Sequence, residues 1–137
     1  MQNDTTAAGS AGLILLAHGS RDALWRQPIE AVLGAVRQTR PHGLAACAYL
    51  EACAPDLPTA ARGLVEAGAT RITVLPLFLG TGKHAREDIP KLVQEIRDTH
   101  PQVAVELEPA VGEHPRVTAL LAELALAAME PSGRSGS

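Results

Sequence analysis

The sequence predicts an α/β fold, a three-layer sandwich in which a parallel four-stranded sheet is flanked by helices. Two observations carry this expectation. A short apolar run followed by a helix-period segment recurs four times, about 30 residues apart, the size of one strand–helix unit. The runs are apolar on both faces instead of alternating, as strands are when helices cover a parallel sheet on both sides. Right-handed crossovers then bring all strand C-termini to one rim, where ligands of such sheets bind.

The elements follow in order. The apolar runs begin near Leu13 (LILLA), Leu44 (LAACAYL), Arg71 (RITVLPLFL) and Val103 (VAVELEP). Trp25, Ile29, Val32, Leu33 and Val36 share one helical face after the first run. The second helix is expected to open at Asp56-Leu57-Pro58 and stop at Gly68. The third is expected to open at Asp88-Ile89-Pro90, to present Ile89, Leu92, Val93 and Ile96, and to be limited by Pro101. In both, Asp can cap the first N–H groups and Pro fits the first turn, where no internal partner is needed. The fourth opens at His114-Pro115, carries Val117, Leu120, Leu121 and Leu124 on one face, and ends before Pro131. A single domain over 12–130 is expected. The polar, small-residue segments 1–11 and 131–137 read as disordered tails.

Composition narrows the function. The chain has 137 residues, 46% hydrophobic and 20% charged, with net charge -3. That length suits one domain able to bury roughly two-thirds of its unfolded surface. With one Trp, one Tyr and one Phe, the core must be aliphatic. Mild acidity and scarce aromatics exclude nucleic acid as a partner. No apolar run reaches the ~20 residues that span a bilayer. The run at Leu13 follows Asp4 and no Lys or Arg, which argues against a signal peptide and for a cytoplasmic protein. Cys47 and Cys53 match neither a Cys-x-x-Cys redox pair nor a zinc ribbon, and are expected as reduced thiols.

Three reactive residues follow the first three apolar runs at equal sequence intervals: His18 in HGSR, Glu51 in YLE, and His84 in GTGKHAR. Two imidazoles and a carboxylate on one rim suit a borderline divalent metal, and proton transfer near neutral pH. His42 and His100, beside prolines, are expected to face solvent, and His114 to serve a helix start. Arg21, Arg26, Lys83, Arg86 and Arg116 belong to rim loops or first helical turns, which suggests a cationic site for an anionic ligand. Gly80-Thr81-Gly82-Lys83-His84 lacks the first Gly and the Ser or Thr of a P-loop, though Gly-x-Gly can form an anion-binding nest. Ser20 lacks the Gly-x-Ser-x-Gly elbow of hydrolases.

The segments LLAHGSR (15–21), YLE (49–51) and PLFLGTGKHAREDIP (76–90) resemble the small class II chelatases, the CbiX/SirB-type sirohydrochlorin chelatases. Gly112-Glu113-His114-Pro115 is similar to the late Gly-x-His-Pro turn of that family. The resemblance covers about residues 13–128. It implies a chelatase-like, flavodoxin-like half and a lyase that inserts Co²⁺ into sirohydrochlorin for cobalamin synthesis. His18 and His84 take the positions of the metal-binding and catalytic histidines, and Glu51 that of the active-site acid. Ser20, Arg21, Gly82, Lys83 and Arg86 are expected to bind the substrate, the rim cations pairing with its carboxylates. The divalent metal, Co²⁺ or Fe²⁺, is then a substrate, and no cofactor is permanently bound. The sequence has neither the His-rich tract nor the C-terminal cysteines of some members, so neither metal storage nor an iron–sulfur cluster is implied. Single-chain chelatases contain two such halves, so a homodimer is expected here. The same reaction with iron for sirohaem, or with nickel, stays open, because ligand type separates these ions poorly. So do two other classes, a non-catalytic tetrapyrrole or metal carrier and a nucleotide- or flavin-binding module.

Overall fold

The computed structural model describes residues 10–131. Four strands, β1 (Ser10–Ala17), β2 (Leu44–Tyr49), β3 (Ala69–Pro76) and β4 (Ala104–Leu107), form one parallel sheet in the order β2-β1-β3-β4. The helices are α1 (Ala23–Thr39), α2 (Leu57–Glu66), α3 (Lys83–Thr99) and α4 (Pro115–Ala128), with a 3₁₀ turn at Val111–Glu113. The expected α/β class and the four units stand. Strand β1 begins at Ser10, so Ser10 and Ala11 belong to the sheet and not to the expected tail. The other expected tail residues, apart from Pro131 in a bend, lie outside the described residues.

Alternation along β1 builds two cores. Ile14 and Leu16 face α2 and α3, in a cluster with Ala48, Leu57, Ile72, Val74, Val93 and Ile96. Leu15 and Ala17 face the other way, with Cys47, Tyr49 and, from α1, Ile29 and Leu33. All four of these β1 side chains are at most 2% exposed, which is why this strand reads as a continuous apolar run. The core is aliphatic as expected, with Phe78 and Tyr49 its aromatic members.

Helix boundaries follow local chemistry. The Asp56 carboxylate accepts the Thr59 N–H at 2.9 Å at the start of α2, and Gly68, at φ +108, lies just past its end. His114 caps α4, its Nδ1 accepting the Arg116 N–H at 3.1 Å. The third helix departs from expectation. It begins at Lys83, not near Asp88, and carries Pro90 inside it, as α1 carries Pro28. Asp88-Ile89-Pro90 imitates a capped start, but Pro90 is the eighth of the 17 residues of α3 and Pro28 the sixth of the 17 of α1, so each removes one internal hydrogen bond within a helix that continues past it. Arg37 of α1 donates to the Ala45 carbonyl and Arg97 of α3 to the Val105 carbonyl, fastening helices to the two edge strands.

The third layer is incomplete. α1 packs mainly on β2 and β1, and α4 packs mainly on the 3₁₀ turn and buries no residue.

Asp56→Ala is expected to cost about 1 kcal/mol of stability near neutral pH. The bond from Thr59 holds the Asp56 carboxyl below its ordinary value. Its stabilisation is therefore present above the unfolded-state pKa of roughly 3.9 and is lost as pH falls through the lower folded value. Denaturant melts at neutral and at strongly acid pH check this. The gap between wild type and variant should close in acid; a constant gap contradicts the cap.

Candidate functional site

The strand order determines where a ligand can sit. From β1 the chain moves outward to β2, then crosses back over β1 to β3. The gap between the C-terminal ends of β1 and β3 is thus the topological switch point, the usual crevice of such sheets. His18 stands at the end of β1, and the loop after β3 leads to His84. Glu51 follows β2, on the far side of β1. Neighbouring strands lie about 4.8 Å apart, so the ends of β2 and β3 are separated by roughly 10 Å with His18 between them.

His18 and Glu51 are joined through the backbone. The His18 carbonyl accepts the Leu50 N–H at 3.1 Å and the Glu51 N–H at 3.0 Å. Gly19, at φ +107, passes so close that a Cβ there would lie 1.8 Å from the Glu51 carbonyl oxygen. The next turn is tight as well: Cys53 N–H donates to the Glu51 carbonyl at 2.8 Å around Ala52, whose φ is +70. A non-glycine residue in that region costs on the order of 1–3 kcal/mol and is held only by its surroundings. Glu51 and its neighbour are thus held in place by rigid backbone while the Glu51 side chain stays exposed.

The His18 ring stacks on Phe78, centroids 4.4 Å apart and planes 25° from parallel. Phe78 is buried, and its carbonyl accepts the Gly112 N–H at 2.9 Å. Phe78 escaped sequence reasoning because an apolar residue in an apolar run signals only core.

His84 is the second residue of α3, so it sits on the first helical turn and not in the loop before it. Gly82 is the N-cap, at φ -69, and supplies no side-chain cap. Neither Gly80 nor Gly82 adopts positive φ, so the expected Gly-x-Gly nest is not formed. The open end of a 17-residue helix replaces it as the anion-attracting feature beside Lys83 and His84.

Among the described residues, no three His, Cys, Asp or Glu side chains are gathered closely enough to hold a metal ion. The expected His18–Glu51–His84 ligand set is therefore not preassembled in the single chain. The three residues do share the rim, but they leave three adjacent strands and their side chains are exposed. The basic residues divide. Arg86 donates to the Thr81 carbonyl at 2.7 Å and Arg26 to the Ser20 carbonyl at 3.0 Å, so both brace rim loops. The Ser20 hydroxyl accepts the Asp22 N–H at 3.0 Å, shaping the turn into α1. Arg21 and Lys83 are exposed, with no side-chain bond among the described residues.

Two grooves flank the rim, one of about 430 Å³ beside Leu75, Glu108, Val111 and His114, another of about 240 Å³ beside Thr81, Arg86, Glu108 and Glu113. His18, Glu51 and His84 line neither, and stand on an open edge. Cys47 and Cys53 are free thiols, Cys47 buried and Cys53 half-buried. Burial pushes the Cys47 thiol up and the Tyr49 phenol up to about 12, so both stay protonated beneath α1.

The CbiX family model matches residues 12–128. The chain belongs to the CbiX family. It is 30% identical over 125 residues to a sirohydrochlorin cobaltochelatase of Sulfolobus acidocaldarius, an alignment covering 90% of this chain and 97% of that one. It is 29% identical over 111 residues to a sirohydrochlorin ferrochelatase of Priestia megaterium, covering 81% of this chain but only 42% of that longer one. A crystal structure of a putative cobalamin biosynthesis CbiX protein from Marinobacter aquaeolei superposes with TM-score 0.77 at 31% identity, covering 88% of this chain and 98% of that chain. The sirohydrochlorin chelatase SirB from Bacillus subtilis subspecies spizizenii, in complex with cobalt, gives 0.67 at 26% identity, with 74% of this chain covering 44% of it. This CbiX chain thus covers nearly the whole of the Sulfolobus acidocaldarius and Marinobacter aquaeolei proteins and less than half of the two longer ones.

Gly19→Ala is expected to lose at least about 1–3 kcal/mol, from positive φ alone, with Gly34→Ala as the opposite case. Gly34 lies inside α1 with nothing within 4 Å of a new Cβ, so Ala should stabilise by roughly 0.8–1 kcal/mol. Thermal melts of both variants check the pair; a neutral Gly19→Ala would contradict the close approach to Glu51.

Proposed function

We propose that this protein is a sirohydrochlorin chelatase that inserts Co²⁺ into the tetrapyrrole during cobalamin synthesis. The observation that carries the proposal is the placement of His18 and of the His84-bearing start of α3 on either side of the β1/β3 switch point, on an open rim. A flat macrocycle with carboxylate arms needs such an edge and not an enclosed pocket.

The reaction removes two pyrrole protons and strips water from the metal. A neutral imidazole can carry a borderline divalent ion to one face of the ring, and a second imidazole or a carboxylate can take the protons. His18 and His84 are the candidates for the metal, with Glu51 or a histidine as proton acceptor. Arg21, Lys83 and the N–H groups at the start of α3 would pair with substrate carboxylates. Arg86 and Ser20 contribute by shaping the loops that carry these groups. A metal that is a substrate must also leave, so a loose site assembled around metal and ring together suits turnover better than a closed cage. Iron insertion is the second reading, favoured by the likeness to the Priestia megaterium ferrochelatase.

We further infer a homodimer working in the cytoplasm. α4 exposes Leu120 at 53%, Leu124 at 57% and Leu126 at 63%, while the α1 side of β3 is only partly covered, with Leu75 half-buried beside an open groove. The apolar helix and the partly covered strip lie in one chain, so a two-fold partner satisfies both at once. Replacing Leu120 and Leu124 together by Glu should convert a dimer to a monomer in light scattering. A wild-type monomer at micromolar concentration contradicts the inference.

Anaerobic optical assays of sirohydrochlorin with Co²⁺ or Fe²⁺ test the function. Many turnovers per chain are expected, abolished in His84→Ala and lowered at least about a hundredfold in His18→Ala. Stoichiometric binding without turnover would make the protein a carrier, and near-normal rates in both variants would overturn the site. The faster metal ranks cobalt against iron.

A further inference from the structure

We propose that Phe78 is a positioning residue for His18, and that the turn carrying Gly112 holds Phe78 for that purpose. The proposal rests on the chelatase reading above, in which His18 meets the metal.

His18 has one backbone anchor and one side-chain neighbour of defined geometry. Its carbonyl is held by Leu50 and Glu51, which places the Cα but leaves the imidazole free to rotate. No hydrogen bond to the His18 ring occurs among the described residues, so no polar partner sets its plane. The stack on Phe78, with planes 25° from parallel, is what does so. A stack is well suited to the task. It restricts the ring plane while leaving both ring nitrogens at the edge, open to metal or proton, where a hydrogen-bonding partner would occupy one of them.

Phe78 is itself over-determined. It is 4% exposed, within the α2–α3 core. The Gly112 N–H grips its carbonyl, and a Cβ at Gly112 would fall 1.8 Å from the carbonyl oxygen of Leu79. The 3₁₀ turn can therefore press against the 78–79 backbone only because residue 112 is glycine. A line of contact runs from the Gly-Glu-His-Pro turn through Phe78 to the ring of His18, and joins two sequence blocks that are far apart in the chain.

The test compares Phe78→Leu, which keeps an apolar core residue without a ring face, with Phe78→Tyr, which keeps the face. The imidazole carbon-bound protons of His18, assigned by difference from His18→Gln, should show an upfield ring-current shift in the wild-type NMR spectrum. That shift should survive in Phe78→Tyr and vanish in Phe78→Leu. Phe78→Leu should lower kcat about tenfold or more and raise the KM for metal, with the KM for sirohydrochlorin within about twofold, since misplacing a reacting group by 1 Å can cost far more than binding does. Phe78→Tyr should recover most of the loss. An unshifted His18 ring in the wild type overturns the stack whatever the variants do. Unchanged kinetics in Phe78→Leu, with His18→Ala impaired, overturn the positioning role alone. Unchanged kinetics in His18→Ala overturn the underlying site assignment instead.

Discussion

Strand β1 carries the molecule. It is hydrogen-bonded to β2 on one side and β3 on the other along nearly its whole length, and its last four side chains are buried. Because its neighbours are reached by crossovers on opposite faces, the same strand supplies the floor of both cores and the edge of the switch point. His18 follows it directly, so the backbone of that residue is positioned by the central strand of the sheet. The loop that begins at His18 is thus aimed by the most buried strand of the sheet.

The rim combines rigid backbone with exposed side chains. Gly19 and Gly112 each permit a close approach that a side chain would block, Ala52 is held at positive φ by its surroundings, and together they fix the segments around His18, Glu51 and Phe78. The groups that would meet substrate, by contrast, stand in solvent: His18, Glu51, Lys83, His84 and Arg21 are all exposed. This division suits a reaction in which a metal must be captured, handed over and released. A fully formed three-ligand site would bind too firmly, and none is preformed among the described residues. α4 buries no residue, which leaves its apolar face open to the partner copy proposed above.

Much of this was legible in the residues, for identifiable reasons. Strand runs apolar on both faces implied the covered parallel sheet, and with it the common rim for His18, Glu51 and His84. Asp56 and His114 were readable as caps because their side chains bond locally. The start of α3 was misread because its true cap, Gly82, offers no side-chain signal, while Asp88-Ile89-Pro90 offers a false one. Arg26 and Arg86 looked like anion ligands, since sequence cannot distinguish a guanidinium that braces its own loop from one left free. Phe78 was invisible for the same kind of reason: its significance lies in the ring it touches, not in its own chemistry. The exposure of α4 was hidden because an amphipathic pattern states that a face will be covered, never by which chain.

The central claim is that the ends of β1 and β3 form the metal-handling edge. Anomalous diffraction at the cobalt edge, from crystals of the wild-type protein loaded with Co²⁺, tests it most directly. The account predicts one strong peak per chain at the switch point, with an imidazole nitrogen of His18 or His84 about 2.1 Å away, a usual metal–imidazole distance. A peak elsewhere on the molecule, touching neither histidine, would contradict it.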